Sequence, residues 1–259
     1  STVYSGLSKV RTICWTHEAD SMIITNDQGN VDRPNNYILT RESGFKTITE
    51  LTKGQNCNGA DTHPINGELY FNSYNAGQVF RYDFNTKETI PLFTIQDSGW
   101  EFHIQFHPSG DYAYIVVVNK HYILRSDYDW KTKRLTTPYI ICGSQGDAAW
   151  VDGVGKKARM NRPRQGTFVK NPAYEGSNDE YDFYFCDREN HCIRILTPQG
   201  RVTTFAGRGS NGTSGYNDGD LRQEARFNHP EGIVYDEERE CFFIGDRENR
   251  RIRKIGYEE

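Results

Sequence analysis

The sequence predicts an all-β chain, a β-propeller of four-stranded antiparallel blades, and three observations carry that prediction. A long unit occurs twice within residues 143–255 with its apolar pattern intact. Short strands separated by turn residues fill the rest of the chain, and no stretch keeps a helical period. The last group of strands is one short, while residues 1–6 read like the missing strand. Repetition of one supersecondary unit points to stacking or ring closure.

In chain order, residues 10–15, 22–25, 37–41 and 46–51 form the first blade, parted by Asp27-Gln28-Gly29-Asn30 and Glu42-Ser43-Gly44. Residues 58–62, 68–72, 78–82 and 89–93 form the second, with turns at Asn66-Gly67 and Asn75-Ala76-Gly77. Residues 102–106, 112–118, 121–125 and 139–142 form the third. The two copies supply the fourth and fifth. Ala158-Arg159-Met160-Asn161 and Asp187-Arg188-Glu189-Asn190 return as Ala225-Arg226-Phe227-Asn228 and Asp246-Arg247-Glu248-Asn249. The fifth blade ends at Ile255 without an outer strand, and residues 1–6 are expected to close the ring there, leaving no open edge. The count is five blades, with six possible, in one domain, residues 1–259.

Aromatic residues make up 13% of the chain and glycines number 24, which suits short strands and tight turns. A net charge of −4 gives no general attraction to nucleic acid or anionic lipid, and no apolar run is long enough to span a bilayer. The six cysteines lack paired spacing and mostly sit in strands as small hydrophobes; a Cys186–Cys192 bridge across a hairpin is the one pairing with a case. No tight histidine pair signals a metal, although His103 and His107 share one side of a strand. No cofactor or metal is expected. Ser1 is expected to follow a cleaved leader or a preceding domain.

Several motifs have plain structural readings. Asp187, Asn190, Asp246 and Asn249 suit turns in which their side chains bond nearby backbone and tolerate left-handed conformations, and the neighbouring Arg188 and Arg247 are expected to reach an adjacent blade or the solvent rather than a ligand. Asp152-Gly153 and Asp218-Gly219 read as loop turns before they read as calcium ligands. Residues 207–212 match a dinucleotide fingerprint, but turn residues follow where a helix is required, so it is rejected. Arg250, Arg251, Arg253 and Lys254 read as a solvated face, with Ile252 on the other side of the strand.

The candidate ligand site is Trp100, His103, Trp150, Arg164, Gln165, Tyr216 and Glu231. The three aromatics fall in connections between blades, and Trp150 aligns with Tyr216 between the copies. Arg164, Gln165, Glu231, His103 and Asn58 open innermost strands and are expected to ring the mouth of a central channel. Flat aromatics beside planar polar groups suit an extended polar ligand, a glycan, or a protein partner, on the face built by connections 143–160 and 207–227. The competing reading packs Trp150 and Tyr216 onto their own loops. An enzyme of the lactonase, lyase or hydrolase kind would instead draw on Glu231, Asp61 and His103 at the channel mouth.

At Asp-x-x-Asn-x-x-Ile-Arg-x-Ile, after the opening Asn228-His229-Pro230-Glu231-Gly232, the sequence resembles the NHL repeat of β-propellers. The Asp-Gly, Ala-Arg-Phe-Asn and Pro-Glu-Gly spelling is similar to that of a bacterial cell-envelope subgroup whose propeller often follows an immunoglobulin-like IPT/TIG domain. Such propellers commonly have six blades, against the five counted here. The resemblance implies an extracytoplasmic binding or scaffold module, in the periplasm or at the cell surface, and carries over no catalytic set. It covers residues 143–255; the third blade's His107-Pro108-Ser109-Gly110 is also similar to turns of lactonase-type propellers.

Overall fold

The computed structural model describes residues 7–27, 32–53, 56–75, 77–95, 100–177, 179–207 and 214–256. The fold is a β-propeller of five antiparallel sheets, one per blade. The first sheet is β1 (Val10–Trp15), β2 (Ser21–Asn26), β3 (Pro34–Thr40) and β4 (Ile48–Lys53), paired in that order. The second is β5 (Ala60–Thr62), β6 (Leu69–Ser73), β7 (Gln78–Asp83) and β8 (Glu88–Thr94), again in order. The third comprises β9 (Phe102–Phe106), β10 (Tyr112–Val117), β11 (Tyr122–Asp129), β12 (Arg134–Leu135) and β13 (Tyr139–Gly143), with both β12 and β13 on β11. The fourth holds β14 (Gly153–Val154), β15 (Pro163–Lys170), β16 (Tyr181–Asp187), β17 (Cys192–Leu196) and β18 (Arg201–Ala206), in the order β14-β18-β17-β16-β15. The fifth is β19 (Pro230–Asp236), β20 (Cys241–Asp246) and β21 (Arg251–Ile255).

Strands β12 and β14 lie outside the sequence expectation, because two residues are too few to display an alternation. The connection 143–160 is therefore not strandless: Gly153 pairs with Val202, and a bridge joins Val151 to Arg159. A matching bridge joins Asn217 to Arg226 in the second long connection. The expected closing strand at residues 1–6 lies outside the described residues, as do most of the Asp27–Asn30 turn, Ala76 and most of the rejected glycine fingerprint.

Two compact units divide the chain, Ser1–Ile115 with Arg125–Tyr139, and Val116–Leu124 with Ile140–Glu259. In the first, Ile23, Leu69, Phe71, Phe80 and Tyr82 form a buried cluster; in the second, Cys186, Ile193, Phe227, Phe242 and Ile244 do. All six cysteines are free. Cys186 faces Ile193 across the β16–β17 ladder while Cys192 faces Asp187, so the two thiols are one register apart and point to opposite faces.

The repeated wording builds a repeated polar frame. Asp187 accepts from the Asn161 amide at 2.7 Å, from Asn190 Nδ2 at 2.8 Å and from Arg194 Nη1 at 2.7 Å. Asp246 accepts from the Asn228 amide at 2.7 Å, from Asn249 Nδ2 at 2.7 Å and from Arg253 Nη1 at 2.9 Å. Each arginine then spans its long connection: Arg194 donates to the carbonyls of Arg159 and Val151, and Arg253 to those of Arg226 and Asn217. Burial pushes the Asp187 carboxyl up, while Arg194, Asn190 and the Asn161 amide pull it back.

This frame corrects two expectations. The left-handed residues of the turns are His191 (φ 55°) and Arg250 (φ 53°), and not the Asp or Asn. Arg253 is no part of a solvated face: it is only 8% exposed, whereas Ile252 is 79% exposed. Two carboxylates and two carbonyls hold the guanidinium inside, which outweighs the ordinary preference to bury isoleucine.

Candidate binding site on the bulged strands

In the second unit, β15 and β19 each carry one residue too many near their start. Pro163 faces Asp187 and Gly166 faces Phe185, so three residues span two; Pro230 faces Asp246 and Gly232 faces Gly245, so two span one. Such bulges re-aim side chains and recur beside functional sites. Here they present Arg164 and Gln165 on β15 and Glu231 on β19, with Arg164 and Glu231 in the same register of the two repeats.

Opposite charges in one register bring the two blades together. Glu231 Oε1 lies 2.8 Å from Arg188 Nε, 3.4 Å from Arg247 Nη1 and 3.7 Å from Arg164 Nη2. Arg188 also pairs with Glu189, whose Oε2 is 3.2 Å from His229 Nε2. Burial works against the Glu189 charge, but Arg188 and then His229 hold its carboxyl below the usual range. Arg164 and Arg188 are largely buried, Glu231 is half-buried, and the Arg247 side chain is 50% exposed. The cluster is thus a layer of fixed guanidiniums with one open end.

Histidines hold this layer in place. The amide of left-handed Arg162 donates to His121 Nδ1 at 3.0 Å, and that of left-handed His229 donates to His191 Nδ1 at 3.2 Å. Burial first, and then Arg162 for His121 and His229 for His191, lower both histidine pKa values. An accepting Nδ1 is an unprotonated one, and both shifts favour that form.

Sequence reasoning nominated Arg164, Gln165 and Glu231, and the structure unites Arg164 with Glu231 on neighbouring bulges. Glu189 and His229 were missed as members, while Arg188, expected with Arg247 to reach an adjacent blade or the solvent, does reach Glu231 of the next blade. Their signal was the turn itself, whose tips bond to the strand entrances: the Glu189 amide to Asn161 O at 3.1 Å, and the Glu248 amide to Asn228 O at 3.0 Å. Trp150 donates its indole N–H to Thr204 Oγ1 at 2.9 Å, which ties it to its own sheet. Tyr216 is half-exposed, with the guanidiniums of Arg251 and Arg253 at 4.3 and 4.8 Å from its ring centre. The aligned aromatics are held in different ways.

Trp100, His103, Asn58 and Asp61 belong to the other unit. His103 is buried on β9, and Asn58 is buried against Asn72, whose Nδ2 donates to Asn58 Oδ1 at 2.6 Å. Asp61 accepts the Phe106 amide at 2.8 Å, and burial pushes its carboxyl up to about 7. His107 stacks on Tyr112 at 4.5 Å and bonds Ser109 Oγ at 2.8 Å. A shallow pocket of about 520 Å³ in this unit lies between Leu92–Phe93 and Thr132–Thr137, and none of the nominated residues lines it.

The Asp-Gly turns are occupied by protein. Asp152 accepts from Arg194 Nη2 and Thr204 Oγ1, both at 2.9 Å, and Asp218 accepts from Arg253. Among the described residues, no group of three His, Cys, Asp or Glu could hold a metal ion. Among them, too, no helix is long and apolar enough to cross a membrane.

No family model matches the chain, and no curated protein does. Solved structures do. A protein of Bacteroides thetaiotaomicron named an auxiliary nutrient binding protein is 93% identical over 100% of this chain, with a TM-score of 0.96. One of the same name from Bacteroides ovatus is 43% identical over 99%, with a TM-score of 0.94. A third, from B. thetaiotaomicron and bearing a phosphatase name, is 42% identical over 97%, with a TM-score of 0.91. The chain spans 61% of the length of each of these three.

Proposed function

We propose that this chain is a single propeller domain of the NHL type that works outside the cytoplasm, in the bacterial periplasm or at the cell surface, as a non-enzymatic module holding a glycan on the face where its long connections enter β15 and β19. The observation that carries this reading is the paired bulge, which sets Arg164 and Glu231 beside Arg188 and Arg247 as a fixed, half-open array of planar polar groups, with Gln165 in the same bulge as Arg164. Such arrays orient sugar hydroxyls and carboxyls through directed hydrogen bonds. The nutrient-binding names of two solved relatives support a ligand-holding role. The extra length of those relatives leaves room for a neighbouring immunoglobulin-like domain of the IPT/TIG kind.

The test is binding of an oligosaccharide panel to the wild type beside Arg247→Ala, Trp150→Ala and Tyr216→Ala, with circular dichroism as a check on folding. Saturable binding that Arg247→Ala weakens in a folded protein supports the site. Silence across the panel transfers the role to a protein partner or a scaffold. A hydrolytic reading has one observation in its favour, the Asp61 carboxyl poised near 7, where a general acid works. Turnover of any panel member, lost in Asp61→Asn, would move the assignment there.

A further inference from the structure

We propose that the open pocket between β8 and β12 is a second binding site, which takes a small ligand with an apolar body and one terminal carboxylate, the carboxylate held by Arg134. The site lies in the first unit and is independent of the glycan reading. Its volume, about 520 Å³, suits a small molecule. One wall is made by a bulge: Val79 faces Phe93 and Phe80 faces Pro91, so Leu92 is an extra residue on β8. Consecutive side chains of a regular strand point to opposite faces, yet Leu92 and Phe93 both line this pocket. Buried Leu135, from β12, adds to the apolar surface. The second wall is fastened to both blades. The Thr136 amide and Oγ1 donate to Asp127 O at 2.8 and 2.9 Å, and Arg81 Nη1 donates to Lys133 O at 2.9 Å. Thr132 Oγ1 donates to Asp129 at 2.8 Å, so two of the hydroxyls here are already engaged. Arg134 is not. It is exposed, it lines the pocket, and among the described residues it makes no hydrogen bond or ion pair. Asp129 faces it across the ladder, but accepts instead from the amides of its own turn, Lys131 at 2.9 Å and Thr132 at 3.3 Å. Lys131 and Lys133 flank that turn without lining the pocket; the cation that does line it carries a fork. A guanidinium fork matches the two oxygens of a carboxylate through charge-assisted bonds, and Leu92, Phe93 and Leu135 match a hydrocarbon body rather than sugar hydroxyls.

The experiment is titration with phenylacetate and hexanoate, each beside its primary amide, in low salt, followed by backbone amide shifts in NMR spectra. At least one acid is expected to bind about tenfold or more tighter than its amide, a preference that added salt erodes. The shifts are expected to centre on residues 92–93 and 132–137. Arg134→Gln, at an exposed position, is expected to reduce acid binding about tenfold and leave amide binding unchanged. Leu92→Asn is expected to weaken acid and amide alike, with the spectrum away from the pocket unaltered. Equal binding of acid and amide, acid binding untouched by Arg134→Gln, or shifts centred elsewhere overturns the inference. So does the absence of binding by either acid. Each of these outcomes leaves the glycan reading, which concerns the second unit, as it stands.

Discussion

A histidine accepts a hydrogen bond only through an unprotonated ring nitrogen. His121 and His191 do so at equivalent places, taking the amides of Arg162 and His229. Their folded pKa values lie below 6.5, so the stabilisation they give is present above 6.5 and is lost as pH falls through the folded values. Burial sets this balance first, and then the groups facing them: Arg162, Lys120 and Asp147 around His121, and His229, Glu189, Arg188 and Asp246 around His191. His191→Asn retains a short acceptor without a titrating ring and is expected to flatten the acid limb of a urea-denaturation series. His191→Ala is expected to cost about 1 kcal/mol near neutral pH. An acid limb unchanged in His191→Asn would remove the histidine from this role. At residue scale, too, the repeat hides unequal neighbours. A Cβ on Gly166 would stand 2.4 Å from Phe183 Cζ and 2.5 Å from Tyr184 O, whereas one on Gly232 meets nothing within 4 Å. Gly166→Ala is expected to cost about 1–3 kcal/mol and Gly232→Ala close to nothing, and equal losses on urea unfolding would contradict the packing.

At the scale of the element, the Asp–Asn–Arg frame fastens each long connection to its own sheet. Arg194 is fully buried between Asp187 and the 151–159 backbone, so Arg194→Met strands a buried carboxylate and is expected to cost about 3–5 kcal/mol. Arg253→Met should cost less, because Arg253 keeps slight exposure and its second acid, Asp218, is more open than Asp152, the second acid of Arg194. Denaturant midpoints of the two variants check the order. Alternation and turn residues made the ladders legible in the sequence, because a period of two survives in any strand longer than four residues. They could not reveal β12 or β14, which are too short to alternate. Nor could they reveal that an arginine flanked by isoleucine or lysine lies inside, since burial there follows from acids distant in sequence. Of the candidate site, Arg164 and Glu231 were legible from their place at the strand entrances. The convergence of Arg188 and Arg247 on Glu231 was not, because it depends on two bulges that apolar patterning does not encode.

At the scale of the whole molecule, Asp61 in one compact unit and the two histidine joints in the other respond to acid in opposite senses. Asp61 in the first unit has its carboxyl raised from 3.8 to about 7; its contribution is complete below 3.8 and is lost as pH rises through about 7. The histidine joints of the second unit work the other way. Hydrogen exchange read by unit between pH 8 and 5 should show protection falling on acidification around residues 121, 162, 191 and 229, while β5 and β9 hold or gain. Asp61→Asn should abolish the change on the β5 and β9 side. Parallel behaviour of both regions would refute the division.

Arg164 and Glu231 stand at one register of a duplicated unit and carry opposite signs. A description averaged over the copies retains the Asp, Asn and Arg they share and cancels a position at which they face each other with opposite charge. For a ring built by copying, the memory of what it holds is written where the copies disagree, and a search for function should start from the residues a consensus discards.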